Sequence, residues 1–330
     1  MHLTERHRPG RLKLLAMAVL LLAALLALPA AGCGPATEEL TMVTGGTAGT
    51  YYPIGQAMAG IITDNVTGAE VTAIASEGSV ANARSLGSGE AELALIENTI
   101  AYYAQLGIRM FEGEAVADIR GIATLYPEIV QIVTLQEYGI TELSDLAGKK
   151  VGIGAPGSGT AVHMLAILAA AGLDETSLDI QYLDFAGCAA GLADGSIHAG
   201  CIVAGIPTAA VTDIAAAEDI AIVSVPAAIY ATLSSQYPFY VTAVIPGGTY
   251  QGVAQDTGTI AVRAMLATRA DLSEDLIYQA TRAIFEHTDV LIATHPRGSD
   301  ITLATALDGM PIPLHPGAER YFTEQGLIAP

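Results

Sequence analysis

Residues 40–62 read LTMVTGGTAGTYYPIGQAMAGII. LTMV has the apolar character of a short strand. Between Thr44 and Thr50, three glycines and three threonines crowd into seven positions. Ile54, Met58, Ile61 and Ile62 then fall at i, i+4, i+7 and i+8, which is one face of an amphipathic helix. Thr50 is placed as its N-cap, and Pro53 is tolerated in the first turn, where an N–H has no helical acceptor. The stretch therefore reads strand, glycine turn, helix. Such a turn is either a plain connection or a cradle for an anion.

The same order returns in KKVGIGAPGSGTAVHMLAILAAAG, Lys149–Gly172. A second pair of echoes is SVANARSLGSGEAELALIENT (Ser79–Thr99) and CAAGLADGSIHAGCIVAGIPT (Cys188–Thr208), each reading helix, glycine turn, strand, loop. One α/β module thus occurs twice, and alternating strands and helices imply a mostly parallel sheet in each copy. Ligands of such sheets sit beyond the carboxyl ends of the strands. Two modules with loops at equivalent edges can face each other across a cleft. RGIATLYPEIVQIVTL (Arg120–Leu135) and YPFYVTAVIP (Tyr237–Pro246) are extended in character and are expected to be the two crossings between modules. The expected fold is α/β and two-domain, with the cleft between domains joined by extended hinge crossings. Residues 40–125 and 245–330 would form domain 1, and residues 126–244 domain 2.

The chain has 330 residues, is 52% hydrophobic and carries a formal charge of −20. Its N-terminus is basic at Arg6, Arg8, Arg11 and Lys13, and the apolar run Leu14–Leu28 follows. That run is short for a membrane span, which needs about 20 residues, and it matches a secretory signal over residues 1–32. Ala30-Ala31-Gly32-Cys33 resembles a bacterial lipobox, with alanine where leucine is most usual. Lipidation of Cys33 is expected, with 33–39 as a spacer and the membrane touched only through that anchor. The alternative is an ordinary signal with Cys33 incidental. A strongly acidic exported chain is a poor partner for nucleic acid. Cys188 and Cys201 remain, and a disulfide and two buried free thiols are both open.

No enzymatic motif emerges. GGTAG lacks the G-x-G-x-x-G spacing of a dinucleotide fold, GAPGSGT lacks the lysine of a phosphate-binding loop, and Ser158 is not in G-x-S-x-G. No histidine or cysteine spacing suggests a metal, and no cofactor is expected. His163, inside an apolar helix, reads as a hydrogen-bonded structural histidine.

Binding remains. A helix N-terminus offers unpaired N–H groups and partial positive charge, enough to hold a carboxylate without a lysine. Thr47, Gly49, Thr50, Ser158, Gly159 and Thr160 are candidate donors from the two turns. Tyr51 and Tyr52 could wall the pocket, one of them packing inward. Tyr126 and Tyr240, at the two crossings, could close the cleft floor or serve as hinge packing. Ser79 and Pro207, in the paired loops, complete the candidates. Glu97 and Asn98 end the strand in LALIENT. Glu97 suits a ligand ammonium, a shared proton or water, or merely a solvated loop acid, whereas the Asn98 amide can donate or accept.

Several of these stretches together resemble a known family: GGTAGTYYPIG, EGSVANARSLGSGEAELALIENT, LYPE, DLAGKKVGIGAPGSGT, LADGSIHAGCIVAGIPT, YPFY, DLIYQATRAIFE and PLHPGAERYF. The pattern is similar to the solute receptors of TRAP transporters, of the TAXI type. That resemblance implies a two-domain periplasmic-binding-protein-like (type II) fold and a periplasmic or membrane-anchored protein, not an enzyme, that closes around a small organic anion or amino acid. It would deliver glutamate, glutamine or a 2-oxoglutarate-like dicarboxylate to TRAP permease subunits in the membrane. His198 departs from the family, which commonly has aspartate there. A surface immunogenic lipoprotein without a transport role and an exported enzyme on the same fold are the alternatives.

Overall fold

The computed structural model describes residues 37–329. The expected signal segment and Cys33 lie outside the described residues. Among the described residues no helix is long and apolar enough to cross a membrane.

The first module runs β1 (Glu38–Val43), α1 (Tyr51–Asn65), β2 (Ala69–Ile74), α2 (Ser79–Ser88), β3 (Leu93–Glu97) and α3 (Asn98–Leu106). It ends in β4 (Ile119–Leu135). The second runs β5 (Lys150–Gly152), α4 (Gly159–Ala170), β6 (Asp179–Gln181), α5 (Phe185–Ala193), β7 (Ala199–Ala204), α6 (Ala209–Ala217) and β8 (Ile220–Val223). There follow α7 (Ala227–Gln236), β9 (Val241–Ile245), β10 (Thr257–Arg269), α8 (Glu274–Glu286), α9 (Thr288–Thr294) and α10 (Pro316–Glu324). Glu38 and Glu39, expected in the spacer, already pair with Ala69 and Glu70 in the sheet.

The sheet order shows the duplication. β1 pairs in parallel with β2 and β3, and β5 in parallel with β6 and β7. Each triplet is then extended by one long antiparallel strand, β10 beside β3 and β4 beside β7. β4 and β10 also pair with each other, from Ile119↔Arg269 to Ile129↔Ala261. Both strands therefore run through both halves of the molecule. The second crossing is β10, not the stretch at 238–245. Residues 241–245 form β9, an edge strand on β10 with Val241 and Val244 half exposed. The extended, apolar look of YPFYVTAVIP reflects this edge pairing, so the chain returns to the first half near Val262 rather than at residue 245.

Each half is layered helix, sheet, helix. In β3, Leu93 and Leu95 face a core shared with α1, α8 and α10, while Ala94 and Ile96 face one shared with α2 and α3. In β4, Val130 and Ile132 meet α4 and α7, while Ile129 and Val133 meet α5 and α6. Alternate residues of a strand point to opposite faces, and near-continuous apolar runs are what a sheet covered on both sides requires. Local signals set the helix ends: Ser158 and Ser273 cap α4 and α8, and left-handed Gly89 and Gly107 end α2 and α3.

Candidate ligand-binding site

A cavity of about 300 Å3 lies where the two halves meet. Gly45, Gly46 and Gly49 follow β1, Ser76 to Ser79 follow β2, and Glu97 ends β3. From the second half, Ala155 to Thr160 follow β5, Asp184 and Phe185 follow β6, and Val203 and Ala204 end β7. The carboxyl ends of all six parallel strands thus converge on one space, the position at which open α/β sheets take ligands. Glu128, at the point where β4 passes between halves, closes it from behind.

The halves are joined across this space by backbone and side-chain bonds. The amides of Val80 and Ala81, in the first turn of α2, both donate to the Gly157 carbonyl at 3.0 Å. The Thr50 hydroxyl donates to the Gly205 carbonyl at 3.0 Å. Thr50 is therefore not a side-chain cap of α1, and its hydroxyl is spent on the opposite half instead of on a ligand. Gly49 has an equally steric role: a Cβ there would lie 3.1 Å from the Phe185 ring.

Four acids, Glu77, Glu97, Glu128 and Asp184, are among the lining residues, with no lysine or arginine among those described. Asp184 is committed to capping α5 through the Gly187 amide at 2.7 Å. Glu97 and Glu128 are each only 3% exposed. Glu128 Oε2 accepts from the Tyr51 hydroxyl at 2.7 Å. Burial, then the charge of Glu97, push the Glu128 carboxyl well above the usual carboxylate range, against the Tyr51 hydrogen bond. The Tyr51 phenol is also raised, by burial first and then by Glu128 and Glu97. Glu97 lies against the first turn of α4, where Gly159 makes room: a methyl group on Gly159 would overlap the Glu97 carboxylate. His163, one turn further along α4, bonds Glu97 Oε2 at 2.9 Å.

Other polar groups are partly used. Ser79 Oγ accepts the Glu97 amide at 3.1 Å, which leaves its own proton to donate. Ser158 donates to the Ala155 carbonyl at 2.7 Å and accepts from the Ala161 amide at 3.2 Å. Tyr51 of α1 and Gly159 and Thr160 of α4 line the cavity, and their amides, in the first turn of each helix, have no intrahelical acceptor. The site can hold a small molecule with an anionic end at these amides and a cationic or proton-donating end at the acids. Among the described residues no group of three or more His, Cys, Asp or Glu side chains is placed to hold a metal ion.

The profile of the NMT1-like family matches residues 42–326. The chain belongs to the NMT1-like family. Among solved structures it resembles a protein of Bordetella bronchiseptica RB50, with a TM-score of 0.55 at 16% identity over 87% of this chain and 82% of that one. It also resembles a binding protein component of an ABC phosphonate transporter from Pseudomonas aeruginosa, with a TM-score of 0.50 at 12% identity over 81% of this chain and 80% of that one. The alkanesulfonate-binding protein SsuA from Xanthomonas axonopodis pv. citri, bound to MOPS, follows at a TM-score of 0.48 and 14% identity, over 88% of this chain and 85% of that one. The NMT1-like chain thus has the two-domain α/β fold of the periplasmic binding proteins.

The resemblance to TRAP receptors of the TAXI type is corrected by the family match: the family is NMT1-like. Of the motifs behind that resemblance, GGTAGTYYPIG and DLAGKKVGIGAPGSGT span the glycine turns, whereas DLIYQATRAIFE lies within α8 and PLHPGAERYF runs into α10.

Of the residues singled out from sequence, Gly49, Thr50, Tyr51, Ser79 and Glu97 line the cavity, with Ser158, Gly159 and Thr160 opposite them. The others do not. Thr47 is exposed on the turn and Tyr52 packs half-buried on another side of α1. Asn98 turns away: its Nδ2 donates to the Gly309 carbonyl at 3.2 Å and its Oδ1 accepts the Arg263 amide at 3.2 Å. Tyr126 is fully buried in the first half's core. Pro207 follows β7 in a cis peptide, outside the lining. Tyr240 reaches the site only through His163. His198 lies away from the cavity, accepting the Lys150 amide at 3.1 Å.

Sequence reasoning missed Glu77, Glu128, Asp184 and Phe185 in the lining, and His163 behind it. Glu128 had a signal: it is the one acid in the long strand Ile119–Leu135, directly after a proline. Cys188 and Cys201 are both buried free thiols, which closes the disulfide alternative in the structure.

Proposed function

We propose that this NMT1-like protein is an extracytoplasmic receptor that captures a small solute in the cleft and hands it to a membrane permease. The observation that carries the reading is the convergence of six strand ends from duplicated halves on one buried cavity. Two halves joined by continuous strands can open and close around a solute by bending at Pro127–Glu128 and Val262–Arg263, where β4 and β10 face each other. The fold shared with an ABC phosphonate transporter component supports a place beside a permease of that kind. The export signal and the lipid anchor at Cys33 expected from the sequence suit such a place.

The solute bears a carboxylate and an amino group. Helix N-termini favour the carboxylate. Two buried acids, with no lysine or arginine among the described lining residues, favour an ammonium group. Glutamate or glutamine fits this pairing better than a dicarboxylate without an amine, whose two negative charges would enter the site with no ammonium group to offset them.

Titration calorimetry with L-glutamate, L-glutamine and 2-oxoglutarate tests the reading. Saturable binding of an amino acid, with the keto acid weaker, is expected. Binding of the keto acid alone would sink the amino-acid assignment, and binding of no small solute across a wider thermal-shift screen would sink the receptor.

A further inference from the structure

Behind Glu97 stands a relay with no part in the lining itself. Glu97 ends β3 in the first half, whereas His163 on α4 and Tyr240, just before β9, come from the second. His163 Nε2 lies 2.9 Å from Glu97 Oε2, and His163 Nδ1 lies 2.6 Å from the Tyr240 hydroxyl. The three residues are 3%, 0% and 4% exposed. A carboxylate oxygen only accepts, so a neutral ring serves both neighbours with its proton on Nε2 and the Tyr240 hydroxyl donating to Nδ1. The Glu97 carboxylate fixes the proton on Nε2, and the Tyr240 hydroxyl, donating to Nδ1, holds the ring at its angle to that carboxylate.

The relay is held rigidly. The Tyr240 ring meets the His163 ring edge-on, with centroids 5.3 Å apart. Tyr240 also packs against Tyr237, whose hydroxyl accepts from Arg109 of the first half at 2.7 Å. On the other side, Gly159 offers the Glu97 carboxylate a berth that any side chain would fill. With Oε2 bonded to His163, Oε1 is the oxygen left to meet a solute. Glu128 has a different support, a tyrosine hydroxyl in place of a histidine, so the two buried acids are not equivalent.

We propose that His163 and Tyr240 are positioning residues for solute selection, holding the Glu97 carboxylate across the cleft at the angle from which it reads the ammonium group of the ligand. The proposal rests on the receptor reading above. It makes selectivity for an amine depend on a hydroxyl that touches no ligand.

The test compares wild type with Tyr240→Phe, His163→Gln and Glu97→Gln. Each is titrated with L-glutamate and with 2-oxoglutarate, and the histidine ring nitrogens are followed by 15N NMR in the absence of solute. Tyr240→Phe is expected to weaken L-glutamate by about tenfold, the scale of one lost hydrogen bond to a charged group. The same variant should shift 2-oxoglutarate by less than about twofold. Glu97→Gln should lose the preference for the amine entirely. His163→Gln, whose amide still donates to Glu97, should keep part of it. The wild-type ring should report a single Nε2–H tautomer with a hydrogen-bonded Nδ1, and in Tyr240→Phe the Nδ1 signal should move to that of an unbonded acceptor. Equal weakening of both probes in Tyr240→Phe, or unchanged selectivity despite the shifted Nδ1 signal, overturns the proposal alone. A wild-type protein that binds 2-oxoglutarate but not L-glutamate overturns the amino-acid reading and the proposal with it.

Discussion

The hydroxyl of Tyr51, the first residue of α1, donates to Glu128 Oε2 at 2.7 Å, tying the helix that follows the glycine turn to the strand shared by both halves. Glu128 is held well above the usual carboxylate range, chiefly by burial. A carboxyl raised on folding binds more protons in the folded chain than in the unfolded one. Its contribution to stability is present below the unfolded value and is lost as pH rises toward the folded value. Stability should therefore decline from mildly acidic to mildly alkaline pH through this group. Glu128→Gln keeps an acceptor for Tyr51 and cannot ionise, so it should flatten that decline and be the more stable protein at the upper end. Urea denaturation at both ends of that range gives the slopes, and equal slopes would refute the assignment.

Gly159→Ala separates a steric from a conformational role. In an ordinary helix the change stabilises by up to about 1 kcal/mol. Here the added methyl would overlap the Glu97 carboxylate. Destabilisation of about 1–3 kcal/mol is expected, with solute affinity lost as Glu97 is displaced. A variant more stable than wild type, with intact binding, would show that Glu97 does not sit against α4 in solution.

Thr50→Ala should act on the fold more than on the solute. The Thr50 hydroxyl donates to the Gly205 carbonyl, which also accepts from Thr208 at 2.9 Å. Gly205 keeps a donor in the variant, so a cost of about 0.5–1.5 kcal/mol is expected. Denaturation midpoints with an unchanged m-value would measure it. A loss of solute affinity beyond about tenfold without loss of stability would return Thr50 to the ligand.

Burial pushes the Cys188 thiol up to about 12 and the Cys201 thiol also well above its usual value. The thiolate is the reactive form, so both should resist alkylation while the protein is folded. Peptide-mapped labelling with iodoacetamide should modify them only in denaturant. Rapid modification of either in the native protein would contradict the buried, protonated state.

The duplication was legible because it is written in local chemistry. Glycine turns between apolar strands and helices repeat at Thr44–Thr50 and Gly154–Thr160, and residues following parallel strands are where a cleft forms. The return crossing was not legible. YPFYVTAVIP and TGTIAVRAMLATR both look like buried strands, and only the pairing of β10 with β3 and β4 separates an edge from a centre. The acids were half legible. Glu97 stood at a strand end, but Asn98 beside it turns toward Gly309 because α3 begins there and rotates the next side chain out of the cleft. His163 looked like a lone core histidine, and it is one by burial; its partner Glu97 is 66 residues away, beyond any local pattern.

β10 lies between β3 and β4 in the sheet. As the chain emerges in order, residues 38–135 hold two strands whose facing edges stay unpaired until residue 269 has followed. The triplet β5, β6 and β7 meets no such delay, because β4 already precedes it. The middle of the polypeptide can then assemble first, and the end made earliest waits longest with an open hydrogen-bonding edge. Such an edge invites pairing with a second nascent chain. Truncation anywhere before Thr257 should leave that half insoluble while the central segment still collapses, which makes the C-terminal third a folding requirement for the N-terminal one.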